Sequence, residues 1–171
     1  MAKRILAVVA LILLCAAAGL ALHLAVSGGD TVFAGTRPDY LGVKDGRLAR
    51  CKRTPNCVSS QADASDAEHY IAPIVFKGSA GQAMAAVGKA VESTARATVI
   101  RSELGYLYAE FRSRLMGFVD DAEFLFDAAA GVIHVRSASR LGRRDFGVNR
   151  ERVEALRAAI AASGQAKPGV G

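Results

Sequence analysis

Between Thr98 and Arg140, polar and apolar side chains alternate with a period of two, and no other feature restricts the fold as much. Thr98 to Glu103 and Tyr106 to Leu115 flank Leu104-Gly105, the length of a tight hairpin connection. Val119 to Asp127 and Val132 to Arg140 flank a longer turn, Ala128 to Gly131. Successive side chains of a strand leave on opposite faces. One face therefore collects Ile100, Leu107, Ala109, Phe111, Phe124, Phe126, Ile133 and Val135. The other collects Arg101, Tyr106, Tyr108, Glu110, Asp121, Glu123, His134 and Arg136. Pairing Glu103 with Tyr106 sets Arg101 opposite Tyr108, and pairing Asp127 with Val132 sets Glu123 opposite Arg136. Opposite charges across a strand pair contribute about 0.2–1 kcal/mol each. The charged face is read either as a water-facing surface held by such pairs or as the floor of a ligand groove.

Two helical segments supply the cover for the oily face. Ser79 can cap a helix running to about Arg96, with Met84, Val87, Gly88, Val91 and Ala95 at helical spacing. Its small side chains let it lie close to a sheet. A second helix starts near Gly147 or Val148, with Asp145 as candidate cap and Val153, Leu156 and Ile160 as its stripe, and Gly164 is placed to end it. Ile71 to Lys77 reads as a short strand. The predicted fold is α+β: an antiparallel sheet of four to five strands with two helices on one face.

Lys3 and Arg4 precede a run, Ile5 to Val26, that has no formal charge and His23 as its polar exception. About 20 apolar residues cross a hydrocarbon core, more than the roughly 7–15 of a cleaved signal peptide. The reading is a signal anchor at 1–26, a linker at 27–49 rich in glycine, a soluble domain at 50–164 and a tail at 165–171. The cations stay inside, which sets the domain on the periplasmic or extracellular side of a bacterial cytoplasmic membrane. Cleavage after Ala16–Ala18 or after Ala34 is the alternative.

Three cysteines are present. Cys15 lies in the apolar run and follows Leu14, unlike a lipidation site. Cys51 and Cys57 flank a short polar loop, which in an exported protein reads as a small disulfide. Zinc is the rival, without the second pair of ligands it needs.

The net charge of +6 fits nucleic acid, anionic lipid or an acidic ligand. No nucleic-acid-binding signature accompanies it, so that partner is set aside. Arg136, Ser137, Ser139, Arg140, Arg143 and Arg144 lead into a helix start near Val148, a combination that favours a phosphate, sulfate or carboxylate. The same arginines could instead be neutralised by Asp120, Asp121 and Glu123. No metal, cofactor or catalytic residue is assigned: Asp120 and Asp121 point to opposite faces, and a Cys57–His134 pair lacks an orienting group.

PNCVSSQ at Pro55 to Gln61, FVDDAEF at Phe118 to Phe124, and RSASRLG followed by DFGVNRERVEALR at Arg136 to Arg157 resemble the family called domain of unknown function 1499. The resemblance covers roughly Cys51 to Ile160 and implies an anchored or exported protein, with no activity attached. Arg136, Ser137, Ser139, Arg140, Asn149 and Arg150 fall on the matching motif and form the candidate anion site. Lys52, in place of the family's proline, and Arg143 and Arg144 depart from the pattern. The expected function is a binding module for an anionic small molecule or an envelope protein. The alternatives are a hydrolase-like enzyme using Asp121, Glu123 or His134, and a scaffold.

Overall fold

The computed structural model describes residues 9–19 and 33–162. Residues 9–19 are helical (α1) and exposed. Among the described residues no helix is long and apolar enough to cross a membrane. The predicted span, Ile5 to Val26, lies only partly within the described residues, and the tail 165–171 lies outside them.

The remaining elements are β1 (Cys57–Ser59), β2 (Ile74–Val75), α2 (Ala80–Glu92), β3 (Ala97–Glu103), β4 (Tyr106–Arg112), β5 (Val119–Asp127), β6 (Val132–Ser139) and α3 (Val148–Ala162). They build the predicted α+β class around an antiparallel sheet ordered β1-β6-β5-β4-β3, with β2 also paired to β6. The sheet has six strands rather than four to five. The predicted short strand Ile71 to Lys77 is present as β2, trimmed to two residues, and the strand not read is β1, whose three residues are too few to show a period.

α2 and α3 pack on the same face of the sheet. Met84, Val87 and Val91 of α2 and Val153, Leu156 and Ile160 of α3 share one core with Leu107, Ala109, Phe111, Phe124, Ile133 and Val135. Burying each large side chain contributes about 1.5–3 kcal/mol relative to leaving it in water. Ser79 caps α2 through a capping box with Gln82, and the helix stops at Glu92, where the Ser93 N–H and hydroxyl fold back on the last turn, rather than at Arg96.

The hairpin registers are those read from the alternation: Glu103 faces Tyr106, Arg101 faces Tyr108, and Glu123 faces Arg136. Ile100 is the exception. A β-bulge between Val99 and Arg101 makes it the extra residue, so that Val99 keeps to the core side while Ile100 is exposed.

The sheet face away from the helices is not solvated. Residues 33–49, read as part of a linker, carry no helix or strand but lie across it. Leu48 packs on Tyr106 and Tyr108, with Leu41 and Leu125 beside them. The Gly42 N–H donates to Glu123 Oε1 at 2.7 Å. Both faces of the sheet are therefore covered.

Candidate functional site

Covering the second face turns its charges into a buried polar layer. Glu110 and Asp121 are cross-strand neighbours on β4 and β5. Arg140, from the end of β6, donates through Nε and Nη2 to Asp121 and through Nη2 to Glu110 Oε1. The Tyr108 hydroxyl lies 2.6 Å from Asp121 Oδ1 and 3.0 Å from Glu110 Oε1. Arg37 closes the group from above, donating from Nε to Glu110 Oε1 at 2.8 Å. Beside it, Glu123 accepts from the Tyr106 hydroxyl at 2.9 Å and pairs with Arg136 at 3.3 Å. The Tyr40 ring covers the Arg136 guanidinium at 5.6 Å.

Electrostatics within this layer follow the pairing. Burial alone would push the Glu110 carboxyl up. The hydrogen bonds from Arg140 and Arg37 outweigh it and hold the group below the usual carboxylate range. Burial and the neighbouring carboxylates push both Tyr106 and Tyr108 up, so both phenols stay protonated. Burial would lower Arg140, but Asp121 and Glu110 raise it. Three carboxylates, Glu110, Asp121 and Glu123, thus face three guanidiniums, Arg37, Arg136 and Arg140. None of the acids is left as a general base with an open side.

The candidate anion residues are divided between two places rather than brought to one. Arg136 and Arg140 lie on the layer just described, whereas Ser137 and Ser139 leave the strand toward α3. There Asn149 ties the chain. Its Oδ1 accepts from Ser137 Oγ at 2.6 Å, and its Nδ2 lies within 3.1 Å of the Asn56 carbonyl, Ser139 Oγ and Asp145 Oδ2. Arg152 joins the knot through Ser137 Oγ and Asp120 Oδ2. Arg150 donates to the carbonyls of Ala67 and Glu68. Asp145, the predicted cap, accepts from the Gly147 and Asn149 N–H groups. Burial would raise its carboxyl, and those N–H bonds lower it.

His134 sits between Ser60 and Asp127, with Nδ1 3.2 Å from Ser60 Oγ and Nε2 3.7 Å from Asp127 Oδ2. These are the residue types of a nucleophilic triad, but the arrangement is a latch. Ser60 is buried, its oxygen accepts the Val135 N–H at 2.9 Å, and neither cavity described below is lined by it. Arg101 pairs with Glu103 in solvent and stands 5.5 Å over the Tyr106 ring. Among the described residues, no group of three or more His, Cys, Asp and Glu side chains is placed to hold a metal.

Cavities are open among the described residues, two of them lined by charged side chains. One, of about 400 Å³, lies between α3 and the end of β4, walled by Phe111, Ala155 and Leu156 and rimmed by Arg96. The other, of about 370 Å³, lies beside the loop closed by the Cys51–Cys57 disulfide. Its lining includes the cations Arg47, Arg50, Lys52 and Arg53 together with Asp63, Asp66 and His69. Arg47 donates to the Gln61 carbonyl, and Lys52 lies 5.9 Å over the Tyr40 ring. Arg50 and Arg53 are exposed and carry no ion pair among the described residues. His69 is buried, with Nδ1 2.8 Å from Asp66 Oδ2 and Nε2 3.3 Å from the Thr54 carbonyl. Burial would lower its pKa, and Asp66 with the Thr54 carbonyl raises it overall. The sequence reading missed this cleft because its cations straddle the boundary drawn between linker and domain. The run Arg47 to Arg53, four cations in seven residues, was the available signal.

The chain matches the family model described as "Protein of unknown function (DUF1499)" over residues 47–160. It belongs to that family. The matched region starts at the cationic wall of the cleft and ends on the last core residue of α3, so it takes in the sheet, both covering helices and the disulfide. The covering segment 33–46 lies before it. Searches among the curated proteins and among the solved structures gave no match.

Proposed function

We propose that this protein is a membrane-anchored binding module that holds a small anionic molecule in the cleft beside its disulfide loop, and that it carries out no reaction there. The observation that carries this reading is the pairing pattern. Every carboxylate of the buried layer has an internal cation, while Arg50 and Arg53 line a cleft of about 370 Å³ with guanidiniums that carry no ion pair among the described residues. That volume suits a small ligand, and guanidinium forks suit phosphate or carboxylate groups. The cluster read from sequence at Arg136 and Arg140 is spent on internal pairs, so the proposed ligand contact moves to Arg50 and Arg53.

Anchoring rests on Ile5 to Val26, whose length and lack of charge suit a bilayer span. Lys3 and Arg4 support the orientation that leaves the domain outside the cytoplasm. The Cys51–Cys57 disulfide supports the same placement, since such bonds persist in oxidising compartments.

The test is equilibrium dialysis of the full chain in detergent against labelled inorganic phosphate and citrate, beside R50E/R53E. Both side chains are exposed, so the variant keeps its fold, which its melting temperature checks. The expected result is saturable uptake of one anion by the native chain and at least a tenfold loss in the variant. Equal uptake by the two would refute the cleft.

A further inference from the structure

The antiparallel sheet has two ends, and one of them gathers exposed apolar side chains beside unshielded arginines. The β4–β5 connection carries Arg114, Leu115 and Met116, and the loop after β6 carries Arg143, Arg144 and Phe146. Both loops leave the sheet at the same end, because Asp120 of β5 pairs with Phe111 of β4 and with Ser139 of β6. Leu115 and Phe146 are each 92% exposed, and Met116 is 48% exposed. Phe146 is held there in a left-handed conformation, φ 55°, that an L side chain adopts at a cost. A large aromatic kept strained and in water contributes nothing to the core.

The chain also enters the domain at this end. The Phe33 ring lies tilted at 5.2 Å from that of Phe118, the residue before β5. Gly35 lies so close to the loop after β6 that an added Cβ would come within 3.0 Å of Leu141 Cγ. Seven Cα–Cα steps separate Phe33 from Val26, the last residue of the proposed membrane span, and they reach at most roughly 25 Å. The opposite end, where Leu104 lies in the β3–β4 turn, is about 20 Å further on by strand rise.

From this juxtaposition we infer that this end of the domain docks on the anionic surface of the bilayer in which the same chain is anchored. Phe146 and Leu115 enter the headgroup region, while Arg114, Arg143 and Arg144 meet lipid phosphates. Apolar tips flanked by cations are the chemistry of interfacial binding. A tether of this length holds the surface within reach of that one partner. This inference rests on the anchor proposed above and not on the anion cleft.

The chain has no tryptophan, so F146W and L104W each introduce a single fluorophore. Each full-length variant is reconstituted into phosphatidylcholine vesicles with and without phosphatidylglycerol. The expected result is blue-shifted F146W emission, quenched by shallow brominated lipid roughly twofold more than that of L104W. This difference shrinks without phosphatidylglycerol and in F146W/R143E/R144E. F146W emission as water-exposed as that of L104W, from chain that resists alkaline carbonate extraction, overturns the docking while the anchor stands. Equal quenching at both positions overturns the orientation. Indifference to lipid charge and to the arginine reversals overturns the headgroup contact. Release by carbonate refutes the anchor, and the docking falls with it.

Discussion

Glu110 and Asp121 stand directly opposite one another on β4 and β5, and the Arg140 guanidinium lies between their carboxylates. Like charges in that position are destabilising on their own. All three side chains are nearly inaccessible, at 6%, 2% and 6% for Glu110, Asp121 and Arg140. Removing the arginine strands the buried Asp121 carboxylate and leaves Glu110 paired with Arg37 at its side. R140M is expected to lower stability by about 3–5 kcal/mol. A shift in the urea midpoint equivalent to less than about 1 kcal/mol, the worth of an exposed pair, would contradict the buried layer.

Acid should open this layer. The folded Glu110 carboxyl sits below its usual value of 4.5, because Arg140 and Arg37 outweigh burial. As pH falls, the unfolded chain takes up its proton first. The contribution is therefore complete above that usual value and is lost as pH falls through the lower folded value. Melting temperature is expected to fall between about pH 5 and pH 2, less steeply in E110Q, which starts lower at neutral pH. Parallel curves for the two proteins would show that Glu110 is not responsible.

Reduction tests the loop. The disulfide joins residues separated by 6 positions, and closing so short a loop is worth about 2 kcal/mol. Phosphine reductant is expected to lower the melting temperature of the native chain and leave C51S/C57S unchanged. An equal drop in both would place the effect elsewhere.

Gly88 lies within α2, where an added Cβ would meet Leu107 Cδ1 at an ordinary 3.7 Å. G88A should then add stability, by about 0.5–1 kcal/mol, through helix propensity and a less flexible unfolded chain. A loss of stability would mean that α2 lies closer to the sheet than described.

Phe146 is expected to be a residue whose replacement helps the isolated fold. F146N relieves the left-handed conformation at no cost in packing, and its unfolding free energy should equal or exceed the native value by up to about 1 kcal/mol. Destabilisation beyond that would show that the ring packs within the domain.

The alternation from Thr98 to Arg140 made the two hairpins, their registers and the segregation of Leu107, Phe124 and Val135 from Glu110, Asp121 and Glu123 legible from sequence. Ile100 escaped that reading because a single bulged residue breaks the period without leaving a mark in composition. β2 falls inside the strand read at Ile71 to Lys77, whereas β1 escaped because pairing with β6, not a pattern of its own, makes it a strand.

The candidate site divides along the same line. That Arg136, Arg140 and the acids share one side of the sheet follows from pleat geometry, which local sequence determines by itself. Whether those charges meet water, a ligand or one another depends on what covers them. The cover is residues 33–49, joined to the sheet by contacts as distant along the chain as Arg37 with Glu110 and Gly42 with Glu123. Irregular backbone has no period to read, so only tertiary packing could show that the charged face is interior and that Arg50 and Arg53, without an ion pair among the described residues, lie instead around the disulfide loop.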